Sequence, residues 1–313
     1  MSPKGDVCHL PLPFNIRIST INNKIMDTKE LQKLIAIWFE EDIRDGDHTS
    51  LSCIPETEMG CQQLIVKEEG IIAGIEVAKQ IIAYFDPECR MEQLIEDGTH
   101  VKPGDIAFRV YGKELSLLQI ERTMLNVMQR MSGVATTAHK YQSLIEGTGC
   151  HVLDTRKTTP GLRYLEKEAV LIGGGMNHRI GLFDMILLKD NHVDFSGGIT
   201  AALTRAKNYC EEKGKALRIE IETRNEDEIR EALATNIPDR IMLDNFSPER
   251  TQGAVEIIRT WEKENGKHIE IESSGGITID TIRSYAETGV DFVSVGALTH
   301  SIKSLDMSFK AVK

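Results

Sequence analysis

The sequence predicts an α/β protein in which an incomplete parallel (β/α) barrel follows an N-terminal α+β sandwich domain. Beyond residue 150, strand-like runs alternate with helical patterns, and such βα units build a parallel sheet with right-handed crossovers. About six units are visible, close to the eight of a closed barrel. A doubly wound open sheet is the alternative, but it needs a Gly-x-Gly-x-x-Gly after its first strand, and the sequence has none.

The composition is that of an ordinary globular chain of 313 residues, 41% hydrophobic and 27% charged. A formal net charge of −11 disfavours binding to nucleic acid or to acidic membranes. Six scattered cysteines without Cys-x-x-Cys spacing indicate reduced thiols. Because no apolar run suits a secretory signal or a membrane span, we expect a soluble, cytoplasmic protein.

Three regions are predicted along the chain: an extension (residues 1–27), the sandwich domain (28–120) and the barrel (121–300), with residues 301–313 packing on the sandwich domain. In the sandwich domain, apolar spacing predicts helices from residue 28 to about 44 and over 76–85. Glycine-punctuated runs predict strands over residues 63–67, 71–74, 91–96 and 106–111. A long helix over 115–146 leads into the barrel.

The barrel units follow in regular order. Strands are predicted over residues 151–154, 185–189, 217–222, 240–244, 268–273 and 291–295. Helices are predicted over residues 161–171, 200–213, 226–234, 248–265 and 278–288.

Two of these strands alternate isoleucine with glutamate, over residues 219–222 and 269–272. Successive side chains of a strand point to opposite faces, so isoleucines that meet the covering helices leave the glutamates facing the barrel interior. Carboxylates in such a place are costly unless cations or water accompany them. The pattern therefore predicts a polar barrel centre.

Polar residues follow each predicted barrel strand at its carboxyl end. They are residues 154–157, 189–192, 222, 244–245, 273–276 and 296–297. This end of a (β/α) barrel carries the active site, and six clusters in the same position are hard to attribute to chance.

Glycine-rich loops close the last two units. Ser274, Gly275 and Gly276 precede a predicted helix, and Gly296 with Ala297 lies one unit later. Glycines allow backbone N–H groups to approach phosphate oxygens, and late βα loops commonly hold phosphate. A simple turn is the alternative for either loop alone, whereas the two together favour a phosphate site.

Seven basic residues lie between positions 156 and 192 of this acidic chain. Arg163 and Lys167 fall in a helical pattern, and we expect them on a solvated face. The other five lie in or beside loops and strand ends: Arg156, Lys157, His178, Arg179 and Lys189. Arginine offers a planar fork and lysine a point charge, so this group predicts a substrate with more than one negative group.

Glu222 and Asp244 are candidates for work near a cation. Carboxylates on neighbouring strand ends can hold Mg²⁺ through water, or can stabilise a developing positive charge. The alternative is a structural ion pair with Arg156 or Lys157.

Several long motifs resemble the quinolinate phosphoribosyltransferase family, and the resemblance extends from about Leu31 to the C-terminus. The motifs occupy residues 46–50, 121–126, 154–163, 173–179, 188–192, 243–245, 272–276 and 295–300. The resemblance implies transfer of phosphoribosyl from phosphoribosyl pyrophosphate to quinolinate with decarboxylation, which yields nicotinate mononucleotide for NAD biosynthesis. It also implies Mg²⁺ as cofactor and a homodimer.

The resemblance implies a role for each matching residue. Quinolinate would contact Thr155, Arg156, Lys157, His178, Arg179, Lys189 and, in trans from the partner subunit, Arg122. Phosphoribosyl pyrophosphate would contact Glu222, Asp244, Ser274, Gly275, Gly276, Val295, Gly296, Ala297 and His300. The catalytic residues would be Lys157, Glu222 and Asp244.

Some of these assignments have rivals. Glu222 and Asp244 would hold Mg²⁺ through water, with Glu220 as the rival of Glu222 on the same strand face. Arg122 could instead form a helix-surface ion pair with Glu121. Lys157 would protonate the carbanion left by decarboxylation.

Two other functions remain open from the sequence. A paralogue within the family would use another anionic ring acceptor, and quinolinate-dependent CO₂ release would distinguish it. A non-catalytic sensor would bind phosphoribosyl pyrophosphate without turnover, but cationic and carboxylate residues together at the strand ends speak against it.

Overall fold

The computed structural model describes residues 27–312. The helices are α1 (Thr28–Asp42), α2 (His48–Cys53), α3 (Ile75–Phe85), α4 (Glu114–Leu144), α5 (Arg163–Ile172), α6 (Asp190–Ser196), α7 (Ile199–Lys213), α8 (Glu226–Ala234), α9 (Pro248–Asn265), α10 (Ile282–Ala286) and α11 (Ala297–His300). The strands are β1 (Met59–Val66), β2 (Gly70–Ile71), β3 (Arg90–Gln93), β4 (His100–Val101), β5 (Ile106–Lys113), β6 (His151–Leu153), β7 (Ile186–Leu188), β8 (Ile219–Thr223), β9 (Arg240–Asp244), β10 (Glu270–Ser274), β11 (Phe292–Ser294) and β12 (Met307–Ala311). Of the predicted extension, only its last residue is described: Asp27 caps α1 by accepting the N–H of Lys29 at 3.3 Å.

An antiparallel sheet of order β12-β1-β5-β3 forms the N-terminal domain. Its edge strand β12 comes from the other end of the chain and pairs with β1 from Gln62↔Ala311 to Val66↔Met307. Leu64 and Phe108 are fully buried between this sheet and the helices, as the alternation of apolar side chains requires. The C-terminal segment thus lies on the N-terminal sheet.

Several predicted elements have different bounds, because side chains bind backbone groups within them. The predicted strand 71–74 shrinks to β2: α4 supplies Thr136 and Ser132 hydroxyls that accept the N–H groups of Ile71 and Ala73, each at 2.9 Å. The predicted helix 278–288 is only α10, since Thr281 closes a turn by accepting the Thr278 N–H at 3.0 Å. Helices α2, α6 and α11 were not predicted.

The second sheet has six strands in the order β6-β11-β10-β9-β8-β7, and every pairing in it is parallel. Its two edge strands do not pair with each other in the part of the chain that is described. A single parallel bridge between Leu153 and Met176 begins to fill the gap. The sheet is therefore the predicted incomplete barrel.

Side chains in this sheet alternate between two environments. Ile221, Ile241 and Ile271 are fully buried on the face that meets the covering helices. Their even-numbered neighbours in sequence point to the barrel axis.

No described helix is both long and apolar enough to cross a membrane. Free thiols are carried by Cys53, Cys61, Cys89, Cys150 and Cys210.

Helix α5 buries charge where a solvated face was predicted. Lys167 is fully buried, bonds to the Asp154 carboxylate and donates to the carbonyl oxygen of His178 at 3.1 Å. Burial lowers the pKa of Lys167 and raises that of Asp154 to about 6. The prediction was therefore wrong for Lys167, because its partners come from β6 and from the segment after α5. Arg163 is half-buried and donates to Thr158 Oγ1 at 3.0 Å.

We expect Lys167→Met to lower the free energy of unfolding by roughly 3–5 kcal/mol, because it leaves the Asp154 carboxylate buried without its cation. Urea denaturation measures this loss. The double variant Asp154→Asn/Lys167→Met removes both charges and is expected to lose less. As a control, Lys207→Met removes an exposed lysine whose nearest carboxylate oxygen, on Glu211, is 3.9 Å away, and should change stability by less than about 0.5 kcal/mol. Equal losses in the two single variants would contradict the argument.

Candidate active site

A cavity of about 710 Å³ opens at the carboxyl ends of the barrel strands. Most of the predicted site residues line it: Thr155, Arg156, Lys157, His178, Arg179, Lys189, Glu222, Asp244, Ser274, Gly275, Gly276, Gly296, Ala297 and His300. Sequence reasoning did not assign the rest of the wall: Leu187, Met242, Asn245, Glu272, Ile277, Thr278 and Ser294. Two predicted residues, Val295 and Arg122, are not part of this wall.

The register of the parallel strands explains why distant residues meet in this cavity. Glu222 pairs with Met242, and Ser274 pairs with Asp244, so their side chains share the inward face of neighbouring strands. Val295 instead is buried behind the wall, where its N–H bonds to the carbonyl oxygen of Leu153 at 2.9 Å. Backbone contact, and not its side chain, connects Val295 to the site.

Lys189 and Glu222 form an ion pair across neighbouring strand ends, with Nζ 2.8 Å from Oε2. Lys189 is about half exposed (48%) and Glu222 is nearly buried (9%). The pairing with Arg156 or Lys157 that the sequence left open is not found among the described residues. Glu220, the rival carboxylate, lies one pleat deeper, is fully buried and does not line the cavity.

Asp244 ends β9 beside a strained turn. Asn245 has a positive φ of 56° and donates its side-chain N–H to Asp244 Oδ2 at 2.7 Å. Gly275 (φ 102°) is required here, because a Cβ at that position would lie 2.2 Å from Asn245 Oδ1. The amide therefore holds one oxygen of Asp244 against the first glycine loop.

The second glycine loop lies between Lys157 and His300 of α11. A Cβ on Gly296 would lie 2.9 Å from His300 Nε2 and 3.1 Å from Lys157 Cδ. Glycine thus permits these two side chains to pack across one backbone position. Both glycine loops open into the same cavity as the basic residues.

A buried layer of charge forms the floor of the cavity. Arg240 Nη1 lies 3.0 Å from Glu272 Oε2 and 4.0 Å from Glu220 Oε2. His178 Nε2 lies 3.0 Å from Glu220 Oε2 and 3.5 Å from Glu272 Oε2. The polar centre predicted from the alternating glutamates is confirmed. Arg240 was missed, although its inward position opposite Glu220 and Glu270 was a readable signal.

The layer favours protonation of the His178 ring. Burial opposes the charged ring, but the carboxylates of Glu272 and Glu220 outweigh it and raise the pKa of His178 above its usual 6.5. Its Nδ1 accepts the N–H of Arg179 at 2.6 Å, so in the neutral ring the proton lies on Nε2, which faces the glutamates. Burial and the nearby Glu220 carboxylate raise the pKa of Glu272 to about 7.

Arg122 lies elsewhere on the chain. Its exposed side chain on α4 borders a separate cavity of about 170 Å³, together with Trp38, Arg130 and Leu165. Among the described residues it has no ion pair with Glu121. Arg122 therefore does not reach the site of its own chain.

The raised pKa of Glu272 makes the stability of the folded protein depend on pH. The folded carboxyl titrates near pH 7 and the unfolded one near 4.5, so the folded state binds more protons between these values. Stability from this group therefore rises as the pH falls from 7 towards 4.5. The raised pKa of His178 acts in the same direction at higher pH, because its contribution is complete below 6.5 and is lost as the pH rises through the folded pKa.

We expect Glu272→Gln to lose part of this pH dependence, because glutamine binds no proton. Thermal unfolding midpoints from pH 5 to pH 8 for the wild type and the variant measure the effect. Parallel curves would contradict the raised pKa.

Both parts of the chain match models of one family. Residues 47–132 match the N-terminal domain of quinolinate phosphoribosyl transferase, and residues 134–310 match its C-terminal domain. A chloroplastic carboxylating nicotinate-nucleotide pyrophosphorylase of Oryza sativa subsp. japonica is 42% identical over 293 residues, covering 90% of this chain and 78% of that protein. A probable carboxylating nicotinate-nucleotide pyrophosphorylase of Bacillus subtilis (strain 168) is 39% identical over 284 residues, covering 90% of this chain and 94% of that one.

Solved structures agree with the sequence comparison. The nicotinate-nucleotide pyrophosphorylase from Francisella tularensis has a TM-score of 0.84 at 38% identity, covering 92% of this chain and 99% of that chain. NadC from Streptococcus pyogenes has a TM-score of 0.85 at 33% identity, covering 92% and 99%. The chain belongs to the quinolinate phosphoribosyltransferase family.

Proposed function

We propose that this chain transfers the phosphoribosyl group of phosphoribosyl pyrophosphate to quinolinate with decarboxylation, giving nicotinate mononucleotide, CO₂ and pyrophosphate for NAD biosynthesis. The observation that carries the proposal is a single cavity with three chemically different walls. Basic side chains line one wall, carboxylates on neighbouring strand ends line the second, and two glycine loops form the third. These walls suit a dicarboxylate ring, a ribose and a phosphate.

The basic wall suits quinolinate because it combines the planar guanidinium groups of arginine with the ammonium groups of lysine. Arg156 and Lys157 are exposed to the cavity, and Arg179 is nearly buried, with Nη1 held by the carbonyl oxygen of Met185 at 3.2 Å. A substrate with two carboxylates can therefore exchange water for several charge-assisted hydrogen bonds.

The carboxylate wall suits the ribose. Loss of pyrophosphate leaves oxocarbenium character at the anomeric carbon, and anionic groups held beside it stabilise that charge more than they stabilise the substrate. Glu222 is held in place by Lys189, and Asp244 is held by Asn245. Both carboxylates are thus positioned before the substrates bind.

The same two carboxylates fit Mg²⁺. They lie on the inward face of neighbouring strands but one pleat apart, and each has one oxygen engaged by a neighbouring side chain. Such a donor set matches an ion bound mainly through water and substrate oxygens, which is the usual preference of Mg²⁺. When bound, Mg²⁺ offsets the charge of the pyrophosphate leaving group.

Lys157 is placed to complete the reaction. Decarboxylation of the ribosylated ring leaves a carbanion beside a cationic ring nitrogen, and a lysine ammonium can donate the proton that replaces the carboxylate. Lys157 follows Arg156 in the basic wall and packs against Gly296 of the phosphate loop. It therefore lies where the ring and the ribose would meet.

A homodimer with Arg122 acting in trans accounts for two further features. Leu182, Phe183 and Phe195 are 72%, 66% and 88% exposed, although they follow site residues closely in sequence. Large apolar side chains with this much exposure are typical of a surface that a partner covers. Arg122, which cannot serve its own site, is then free to serve that of the partner.

We also propose a cytoplasmic location, where thiols stay reduced, as the five described cysteines are. Cell fractionation tests this directly, and recovery in an organelle, as the rice relative's name implies for that protein, would contradict it.

We expect purified enzyme with Mg²⁺ to release CO₂ from quinolinate only when phosphoribosyl pyrophosphate is present. Glu222→Gln and Asp244→Asn should each lower kcat by about 100-fold or more, because each removes a charge aimed at the transition state. Glu226→Gln is the control, since that carboxylate pairs with Arg250 outside the cavity. Radiolabelled CO₂ release and product chromatography measure both outcomes.

Three results would contradict parts of this proposal. Binding of phosphoribosyl pyrophosphate without turnover would indicate a sensor. Turnover with another ring acid and no CO₂ release would indicate a paralogue with a different acceptor. Normal carboxylate loss and product formation by Lys157→Ala would exclude that lysine as the proton donor.

Mixing inactive variants tests whether Arg122 acts in trans. If it does, Arg122→Ala and Lys157→Ala place both defects in one site of the hybrid dimer and leave the other site intact. A 1:1 mixture of subunits should then regain about a quarter of wild-type activity. Activity is measured after subunit exchange and checked against each variant alone. No recovery, with exchange verified by mass spectrometry, would rule out the trans role.

A further inference from the structure

Arg130, on the long helix α4, connects two loops of the proposed active site. Its Nη2 donates to the carbonyl oxygen of Thr299 at 2.6 Å and lies 3.1 Å from Thr159 Oγ1. Thr299 belongs to α11 beside the phosphate loop, and Thr159 belongs to the loop that carries Lys157. One guanidinium therefore contacts both loops from behind.

Glu166 holds that guanidinium in place. The glutamate is fully buried on α5, and its Oε1 accepts from Arg130 Nε at 3.0 Å and from Nη2 at 2.8 Å. Its Oε2 accepts the backbone N–H of Thr159 at 3.0 Å. Both carboxylate oxygens are thus engaged, one by the arginine and one by the Lys157 loop.

The two loops also touch each other at the catalytic lysine. Thr299 Oγ1 donates to the carbonyl oxygen of Lys157 at 2.8 Å, and the Lys157 side chain packs on Gly296. The Lys157 loop and the phosphate loop are therefore connected both directly and through Arg130 and Glu166. A displacement of either residue would move the backbone of the Lys157 loop relative to the phosphate loop.

We propose that Arg130 and Glu166 are positioning residues for this reaction: their buried ion pair sets the distance between the loop that carries Lys157 and the loop that holds phosphate. The inference rests on the proposed function, because the relative placement of the two loops matters only if both substrates react. Neither residue lines the cavity of about 710 Å³ at the strand ends, so they act through Lys157 and Thr299. A shift of about 1 Å between reacting groups can lower a rate by about 100-fold.

The chain offers a matched control at the opposite end of the barrel. Arg259 and Glu262 form an ion pair at 2.8 Å, and Glu262 accepts the backbone N–H of Ile269 at 2.7 Å. Arg259 and Arg130 have the same side-chain exposure, 27%. This second pair thus repeats the bonding pattern, an arginine and a loop N–H on one carboxylate, at the amino ends of the strands.

The test compares Glu166→Gln with Glu262→Gln and Arg130→Lys with Arg259→Lys. We expect kcat to fall by about 10- to 100-fold only in the Glu166 and Arg130 variants, while the Kd of quinolinate alone rises by a smaller factor, because His178, Arg179 and Lys189 of the binding wall lie outside the displaced loop. Arg130→Lys keeps the charge and should retain more activity than Arg130→Gln. Steady-state kinetics, calorimetric binding of quinolinate and thermal unfolding are measured for each variant.

Equal losses of kcat in the matched pairs would reduce Arg130 and Glu166 to a structural role and overturn the inference. Amide hydrogen exchange gives a second readout that needs no turnover: Glu166→Gln should speed exchange in residues 155–161 and 296–301, and Glu262→Gln should not. Unchanged exchange in those loops would also overturn it. An inactive wild type would refute the proposed function, while the exchange comparison would still decide the positioning role.

Discussion

The pairing of Asp154 with Lys167 is the contact on which the active-site cavity depends. Asp154 is fully buried at the end of β6, and its Oδ1 accepts both from Lys167 and from the N–H of His178 at 2.9 Å. A carboxylate so far from water needs these partners, and satisfying it draws α5 and the His178 segment towards the first barrel strand. In the gap of the incomplete barrel, this buried charge therefore lies beside the backbone bridge between Leu153 and Met176.

Buried carboxylates need charged partners at two other places in the structure. Below the cavity, Glu220 and Glu272 lie beside Arg240 and His178, which makes a polar barrel centre tolerable. Behind the cavity, Glu166 is matched by Arg130. Each of these ion pairs joins different elements of the fold, so the charges that cost most to bury also help to set loop positions.

Much of this arrangement could be read from local patterns. Alternation of apolar and polar residues gave the six parallel strands, because strand periodicity is a local property. Polar clusters at strand ends gave most of the cavity wall, since parallel strands bring all their carboxyl ends to one edge. Arg240 could have been found by the same reasoning, whereas Lys167 could not: its helical spacing is that of a surface residue, and only its distant partners keep it inside.

The sequence by itself determined the order of βα units, the inward glutamates and the chemical character of the cavity, because side-chain alternation and strand direction follow from the backbone. Only the tertiary structure decided which charges pair. It set Glu222 against Lys189 and not Arg156 or Lys157, sent Glu220 to the floor, and moved Arg122 to a separate surface. Ion pairing depends on distances of a few ångströms between residues tens of positions apart, and no local pattern encodes those distances.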